Sequence, residues 1–374
     1  MNIAVNTRLL LKGKMEGIGW FAYHSLKYIT EKHKEHNFFF IFDRPFDEEF
    51  IFSDNVTPII VSPPTRHPFL WYLWFEHRIP AVLKKIKADV FLSPDGYVSL
   101  RTKVPTLTVI HDINFVHQPE DLPFWVRKYY NHYFYKFAHH AKQIATVSEY
   151  SKADICKHYN IDNKKVDVVY NGSSSIYKPI SESEKNATKK DYTSAKEYFI
   201  FVGSLHPRKN IARLFSAFDI FKKETKSDMK LMIVGGKMFK TSDLTNVFNK
   251  MEFKDDVIFT GRVEQEALHK LVASAFAMTF VPTFEGFGIP IIEAMSCDIP
   301  VISSNTTAMP EVGGDAVLYI DPFSVDSIKD AMITIFTNKE LRNSLVEKSK
   351  LQRQKFSWEK TADKLWNSLE QNCF

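Results

Sequence analysis

Cysteine is scarce in this chain of 374 residues: Cys156, Cys297 and Cys373 are odd in number and widely spaced. That spacing suggests neither a disulfide framework nor a cysteine-built zinc cluster. No apolar stretch reaches the roughly 18 residues of a membrane span. The opening, MNIAVNTRLL, runs straight into a strand-like segment, so no secretory leader is expected. Tandem repeats at solenoid periods are missing, and the only compositionally biased tract is a Ser/Lys-rich stretch near the middle. Charge of one sign is not in large excess. The formal net charge is +5, which does not argue for nucleic acid as a partner. With 44% hydrophobic and 25% charged residues, the composition is that of a soluble globular protein, expected in the reducing cytoplasm. The length suits two domains rather than one.

What is present is organised around Val281–Asn305, VPTFEGFGIPIIEAMSCDIPVISSN. An apolar run, Ala275 to Val281, reads as a buried strand and breaks at Pro282–Gly288. Pro290 then stands where a first helical position tolerates its missing N–H. A helix to about Cys297 follows, and Ile299 to Ser303 reads as the next strand. In open parallel sheets the loop after such a strand is where ligands bind. Gly286 and Gly288 let the backbone approach a ligand closely, and the helix start supplies the partial positive charge that suits a phosphate. Glu285 and Glu293 flank the loop. A carboxylate accepts two hydrogen bonds side by side, as neighbouring sugar or ribose hydroxyls require. A nucleotide-sugar site and a glycine turn with an early helix Glu both fit this stretch.

Other segments carry chemistry in the same style. Tyr198 to Val202 reads as a strand, and Gly203-Ser-Leu-His-Pro-Arg208-Lys209-Asn runs into a helix. Two adjacent cations beside a glycine loop suit a diphosphate, or else form a solvated basic turn. Near the start, a strand at Ile3–Leu10 leads to Gly17-Ile-Gly19-Trp-Phe-Ala22 and a helix from about Ile18 to Glu31. The pattern imitates a dinucleotide fingerprint, but too many residues separate strand from glycines for the tight turn that fingerprint needs. His111-Asp112 ends the strand Thr106–Ile110, at a site position or as a polar turn with Asp112 or Asn114 capping a helix. Residues 66–87 and 121–142 interleave aromatic and basic side chains. They read as helices burying an aromatic face, or as a surface that meets lipid head groups. Strands alternate with helices in both halves, which predicts parallel α/β sheets.

The stretch E-G-F-G-x-x-x-x-E-A-M followed by P-V-I resembles the donor-site signature of the retaining family 4 glycosyltransferases, with Glu285 and Glu293 as its E-x7-E pair. Asp298 departs from the usual Gly before the turn. The resemblance implies the GT-B fold: two Rossmann-like parallel-sheet domains facing a cleft, with the C-terminal helix crossing back to the first. On that basis residues 1–172 form the acceptor domain, joined by about 358–374, with 173–196 as the linking region and 197–357 as the nucleotide-sugar domain. It also implies roles. Lys209 and Arg208 hold the leaving diphosphate, although the family's common form has an Arg directly after the glycine, where this chain has Ser204. Gly17, Gly19, Gly203, Gly286, Phe287 and Gly288 line the donor, His111 borders the transferred sugar, and Val263 lies against the base. Glu285 meets the sugar and Glu293 the ribose.

The expected reaction is retaining hexosyl transfer from a nucleotide diphosphate sugar to a glycan or lipid-linked glycan. HPRKN with HDINFVHQPE looks most like mannosyl- or rhamnosyl-transferring relatives of surface-polysaccharide pathways, which favours GDP-mannose, with UDP-sugars next. No D-x-D occurs, so no catalytic metal and no separate cofactor are expected. A lipid-linked acceptor would bring the protein into peripheral contact with the inner face of the membrane. The alternatives are a nucleotide-sugar epimerase or hydrolase of the same fold, or a non-catalytic sugar-binding protein.

Overall fold

Thirteen short runs, most of them largely apolar, become strands in the computed structural model, which describes residues 1–236 and 242–374. Most are buried on both faces, the pattern of a parallel sheet covered by helices. The chain divides into two units, Met1–Gly172 with Ser357–Phe374, and Ser173–Phe356.

The first unit holds β1 (Asn2–Asn6), β2 (Asn37–Phe42), β3 (Val56–Ile60), β4 (Val90–Ser93), β5 (Thr106–Val109), β6 (Gln143–Thr146) and β7 (Val166–Val168). They form a seven-stranded sheet in the order β3-β2-β1-β4-β5-β6-β7, with every pairing parallel. The second unit holds β8 (Tyr198–Val202), β9 (Lys230–Val234), β10 (Val257–Gly261), β11 (Ala277–Phe280), β12 (Val301–Ser304) and β13 (Val317–Ile320). They pair in the order β10-β9-β8-β11-β12-β13, again all parallel. Both orders reverse direction once, between β1 and β4 and between β8 and β11. The crevice at such a reversal is where the loops after two neighbouring strands part and a ligand can enter.

Two local expectations change, and a stretch open to two readings resolves. The first strand stops at Asn6 rather than Leu10, because Thr7 to Leu10 closes a turn and Arg8 folds inward onto Asp95 at 2.6 Å. The stretch 173–196, expected to link the halves, groups with the second unit and contains the helix Glu182–Thr193. Ser181 and Glu184 form a reciprocal capping box there, which starts a helix despite the scarcity of large apolar residues. Residues 66–87 and 121–142 mostly bury their aromatics. Trp74 and Phe75 are fully buried, and Trp71 packs on Tyr129 and Tyr130 of the helix Phe124–His140. Phe69, Phe124, Trp125 and Tyr135 stay exposed. Among the described residues no helix is long and apolar enough to cross a membrane.

The helix Trp358–Cys373 belongs to the first unit. Trp358 stacks on His24 and Trp366 on His33, and Ser368 donates to Asp167 at 2.6 Å. Its start lies against the end of the segment after β7: a Cβ on Gly172 would sit 2.2 Å from the Trp358 backbone nitrogen. Gly172→Ala therefore forces a backbone shift costing about 1–3 kcal/mol. Chemical denaturation of Gly172→Ala should show that loss. Gly236→Ala, whose Cβ would meet nothing within 4 Å, should stay within about 0.5 kcal/mol of the parent.

Candidate functional site

The sheet order of the second unit brings the two chemically distinctive loops together. β8 and β11 are neighbours, pairing Phe199 with Ala277 and Ile200 with Met278. The loop after β8 carries Gly203 to Asn210, and the loop after β11 carries Pro282 to Gly288. Hydrogen bonds stitch the two. Thr283 donates to the Arg208 carbonyl through its backbone N–H at 2.8 Å and its hydroxyl at 3.2 Å. Asn210, itself in the left-handed region with φ 64°, donates to Val281 O at 3.0 Å and Pro322 O at 2.7 Å.

This stitching sets both cations on one carboxylate. Lys209 Nζ lies 2.5 Å from Glu285 Oε1, and Arg208 Nη1 bonds the same oxygen while also donating to Phe284 O at 3.2 Å. Lys209 and Glu285 are buried, at 9% and 8% exposure, and the Lys209 ammonium stands 5.0 Å from the Phe280 ring centre. Burial raises the Glu285 carboxyl, but Arg208 and Lys209 outweigh it, so the group sits below its ordinary value and stays ionised at neutral pH. The Glu285 backbone N–H points to Thr307 Oγ1 at 3.4 Å.

Glu293 lies in the helix Ile289–Ser296, half-buried, with the Tyr177 hydroxyl as a hydrogen-bond partner. Burial pushes its carboxyl up to about 7, and the Tyr177 bond only partly offsets this. Gly288 caps that helix at φ 97°, a conformation open to glycine at little cost. The Phe287 ring is buried and packs edge-on against Phe356, with centroids 5.5 Å apart. Val263 is half-buried in the turn after β10. Asp298, in place of the usual Gly, adopts φ 57° and is held by Arg353 at 2.7 Å.

The remaining expected residues belong to the first unit. Gly17 and Gly19 open the helix Gly17–Lys32. His111 is half-buried and packs edge-on against Phe21, with its Nε2 2.9 Å from Pro94 O. Burial lowers its pKa, which favours the neutral ring with Nε2–H donating. Sequence reasoning missed Tyr177, Thr283, Thr307 and Asn210. Each acts by position against a remote segment, and a tyrosine, two threonines and an asparagine carry no motif of their own.

A paired-cation cradle on a parallel sheet, with one carboxylate held ionised and another held near neutrality, is the geometry a phosphate-bearing sugar donor needs. Comparison with known proteins gives the family. The Glycosyltransferase Family 4 profile matches residues 15–173 and the Glycosyl transferases group 1 profile matches residues 182–352. The chain is 30% identical over 309 residues to the O-antigen chain mannosyltransferase B of Escherichia coli, covering 82% of this chain and 81% of that one. It is also 30% identical over 286 residues to the O-antigen chain mannosyltransferase RfbU of Salmonella typhimurium, covering 74% and 75%. In structure it resembles WaaG, a glycosyltransferase involved in lipopolysaccharide biosynthesis, with a TM-score of 0.75 at 16% identity over 97% and 98% of the two chains. With parallel sheets of seven and six strands and relatives of this kind, the chain is a glycosyltransferase of family 4 with the GT-B fold.

Proposed function

We propose that the enzyme transfers a hexose, mannose first, from a nucleotide diphosphate donor to a hydroxyl of a glycan or lipid-linked glycan. On this reading anomeric configuration is retained and no divalent metal is used. The observation that carries the proposal is the convergence of Arg208, Lys209 and Glu285 at the ends of β8 and β11. The names of both mannosyltransferase relatives support the choice of sugar.

Breaking the bond between the anomeric carbon and the diphosphate oxygen builds negative charge on the leaving group. Lys209 and Arg208 stabilise that charge as it develops. The acceptor oxygen attacks from the same face and its proton passes to the leaving phosphate, so no protein nucleophile is required. Before the donor binds, Glu285 offsets one of the two positive charges; once the diphosphate shares the cations, its carboxylate is available to the sugar hydroxyls. The direct test is transfer from GDP-mannose, with UDP-sugars alongside, to a lipid-linked or soluble glycan after exhaustive chelation. Sugar should appear on the acceptor with its configuration kept. Activity lost on chelation and restored by Mg²⁺ or Mn²⁺ would refute metal independence, and donor turnover without acceptor would favour an epimerase or hydrolase.

The two cations are not equivalent. Lys209 is the more deeply buried, and Arg208 departs from the family's common position. Lys209→Ala should lower kcat by about a hundred- to a thousand-fold, in line with loss of one preorganised charge donor. Arg208→Ala should lose clearly less; steady-state kinetics showing equal losses would reverse the assignment.

The glutamates separate by kinetics and by pH. Glu285→Gln should lower kcat, by roughly a hundred-fold, because the sugar changes charge in the reaction. Glu293→Gln should raise the donor KM and spare kcat, because the ribose does not change. As Glu293 titrates near 7 and its ionised form is the better diol acceptor, the parent's donor KM should fall as pH rises through 7. At pH 6 it should stand roughly tenfold above its alkaline plateau, and in Glu293→Gln this dependence should vanish. A nucleotide sugar is the right probe, since its diphosphate has no proton to lose in that range.

A further inference from the structure

The first unit contains a second cluster of chemically capable side chains that the transfer reaction does not use. His117 ends the short helix Asn114–His117, while Asp154 and His158 lie one turn apart on the helix Glu149–Tyr159. His117 Nε2 is 3.0 and 2.9 Å from the two Asp154 carboxylate oxygens, and His158 Nδ1 is 3.0 Å from Oδ1. The imidazoles meet edge to face with centroids 4.8 Å apart. One donor atom from each of the three residues can be chosen so that all lie within 4.8 Å of one another. Asp154 is 9% exposed, whereas the histidine side chains are 30% and 32% exposed, so the cluster opens to solvent on one side.

We propose that His117, Asp154 and His158 form a binding site for a divalent transition-metal ion of the zinc, cobalt or nickel class. The donor set decides the class. Two imidazole nitrogens and one carboxylate suit these borderline ions, whereas Mg²⁺ and Ca²⁺ prefer all-oxygen shells. The geometry is close to what such an ion needs. Ligands at about 2.0–2.1 Å in a tetrahedron are separated by about 3.3 Å. The observed 2.9–3.0 Å separations between each nitrogen and the carboxylate therefore need to open by only a few tenths of an ångström, while the two imidazole nitrogens, within 4.8 Å of each other, turn toward the ion. Solvent supplies the fourth ligand on the exposed side. Without metal, the nitrogens facing Asp154 carry protons: His117 Nε2 donates to the carboxylate, and His158 Nδ1 donates to the Asp154 backbone carbonyl at 3.1 Å, beside the carboxylate. With metal, those protons leave, and His117 and His158 keep their hydrogens on Nδ1 and Nε2. Binding is accordingly weaker in acid.

The site ties the loop after β5 to the helix after β6. That loop carries His111, and the Asp112 carboxylate accepts from the Asn114 N–H at 3.0 Å. Metal at His117 would thus anchor the far end of the segment that carries His111. The role is structural, and it is independent of the metal-free chemistry proposed for the donor site.

The test is calorimetric titration of the chelator-stripped full chain with Zn²⁺, and with Co²⁺ as a spectroscopic probe. One equivalent should bind, Co²⁺ should show the intense visible bands of a four-coordinate site, and Mg²⁺ should not compete. His117→Gln and His158→Gln should each weaken Co²⁺ binding by about tenfold or more and abolish the Zn²⁺-dependent rise in melting temperature. His158 lies on an exposed helix face, so its variant serves where the His117 change disturbs folding. Absence of saturable binding by the parent overturns the proposal, as does binding that survives unchanged in both variants.

Discussion

A single buried carboxylate facing two cations holds the second unit's ligand edge in shape. Glu285 cannot be placed there alone. Taking its charge out of water is costly, and the cost is offset only because Arg208 and Lys209 arrive on the same oxygen. They arrive because β8 and β11 are neighbours and because Thr283 and Asn210 stitch their loops. The dependence also runs the other way. Two adjacent cations with no anion between them would repel each other, so the ligand-free site needs Glu285 as much as Glu285 needs them. A diphosphate can enter such a site by exchanging partners rather than by assembling a site from solvated groups, which is the preorganisation that electrostatic catalysis requires.

The architecture was largely legible in the sequence because parallel strands buried on both faces leave continuous apolar runs, and each run here ends in a glycine, proline or polar break. The E-x7-E stretch was legible for the same reason: strand, loop and helix follow one another without a gap. Features that depend on remote partners were not. Arg8 ended the first strand early by folding onto Asp95, 87 residues away. The helix Glu182–Thr193 was readable from Ser181 and Glu184, but its low apolar content hid it. The aromatic-basic segments resolved toward burial once Trp71 met Tyr129 and Tyr130 from a distant helix. Asp154 and His158 stand four apart on one helix, a spacing that was visible; His117, which completes the cluster, comes from a different element.

Asp298 shows how a departure from a family pattern is accommodated. A non-glycine residue at φ 57° carries backbone strain. Its side chain bonds Arg353, which also donates to Met295 O at 2.7 Å and Ser296 O at 3.2 Å at the end of the donor-loop helix. The guanidinium thus satisfies carbonyls that a helix terminus leaves without intrahelical partners. The aspartate therefore turns a position usually given to a flexible residue into an anchor for that helix.

Glu285 and Glu293 are the same residue type eight positions apart, and the fold drives their proton affinities in opposite directions. Both are desolvated, which alone would raise both. Glu285 receives two cations and ends below its ordinary value. Glu293 receives the Tyr177 hydroxyl, a neutral donor, and stays up at about 7. A carboxylate locked in its ionised form suits a task in which charge changes, because its field is present throughout the reaction. A carboxylate poised near neutrality suits recognition of a neutral diol, which can draw it into the ionised form by donating two hydrogen bonds. The proposed division of labour between transferred sugar and ribose would therefore follow from the partners that each glutamate finds, with Tyr177, reaching Glu293 from the start of the second unit, as much part of it as Arg208 and Lys209.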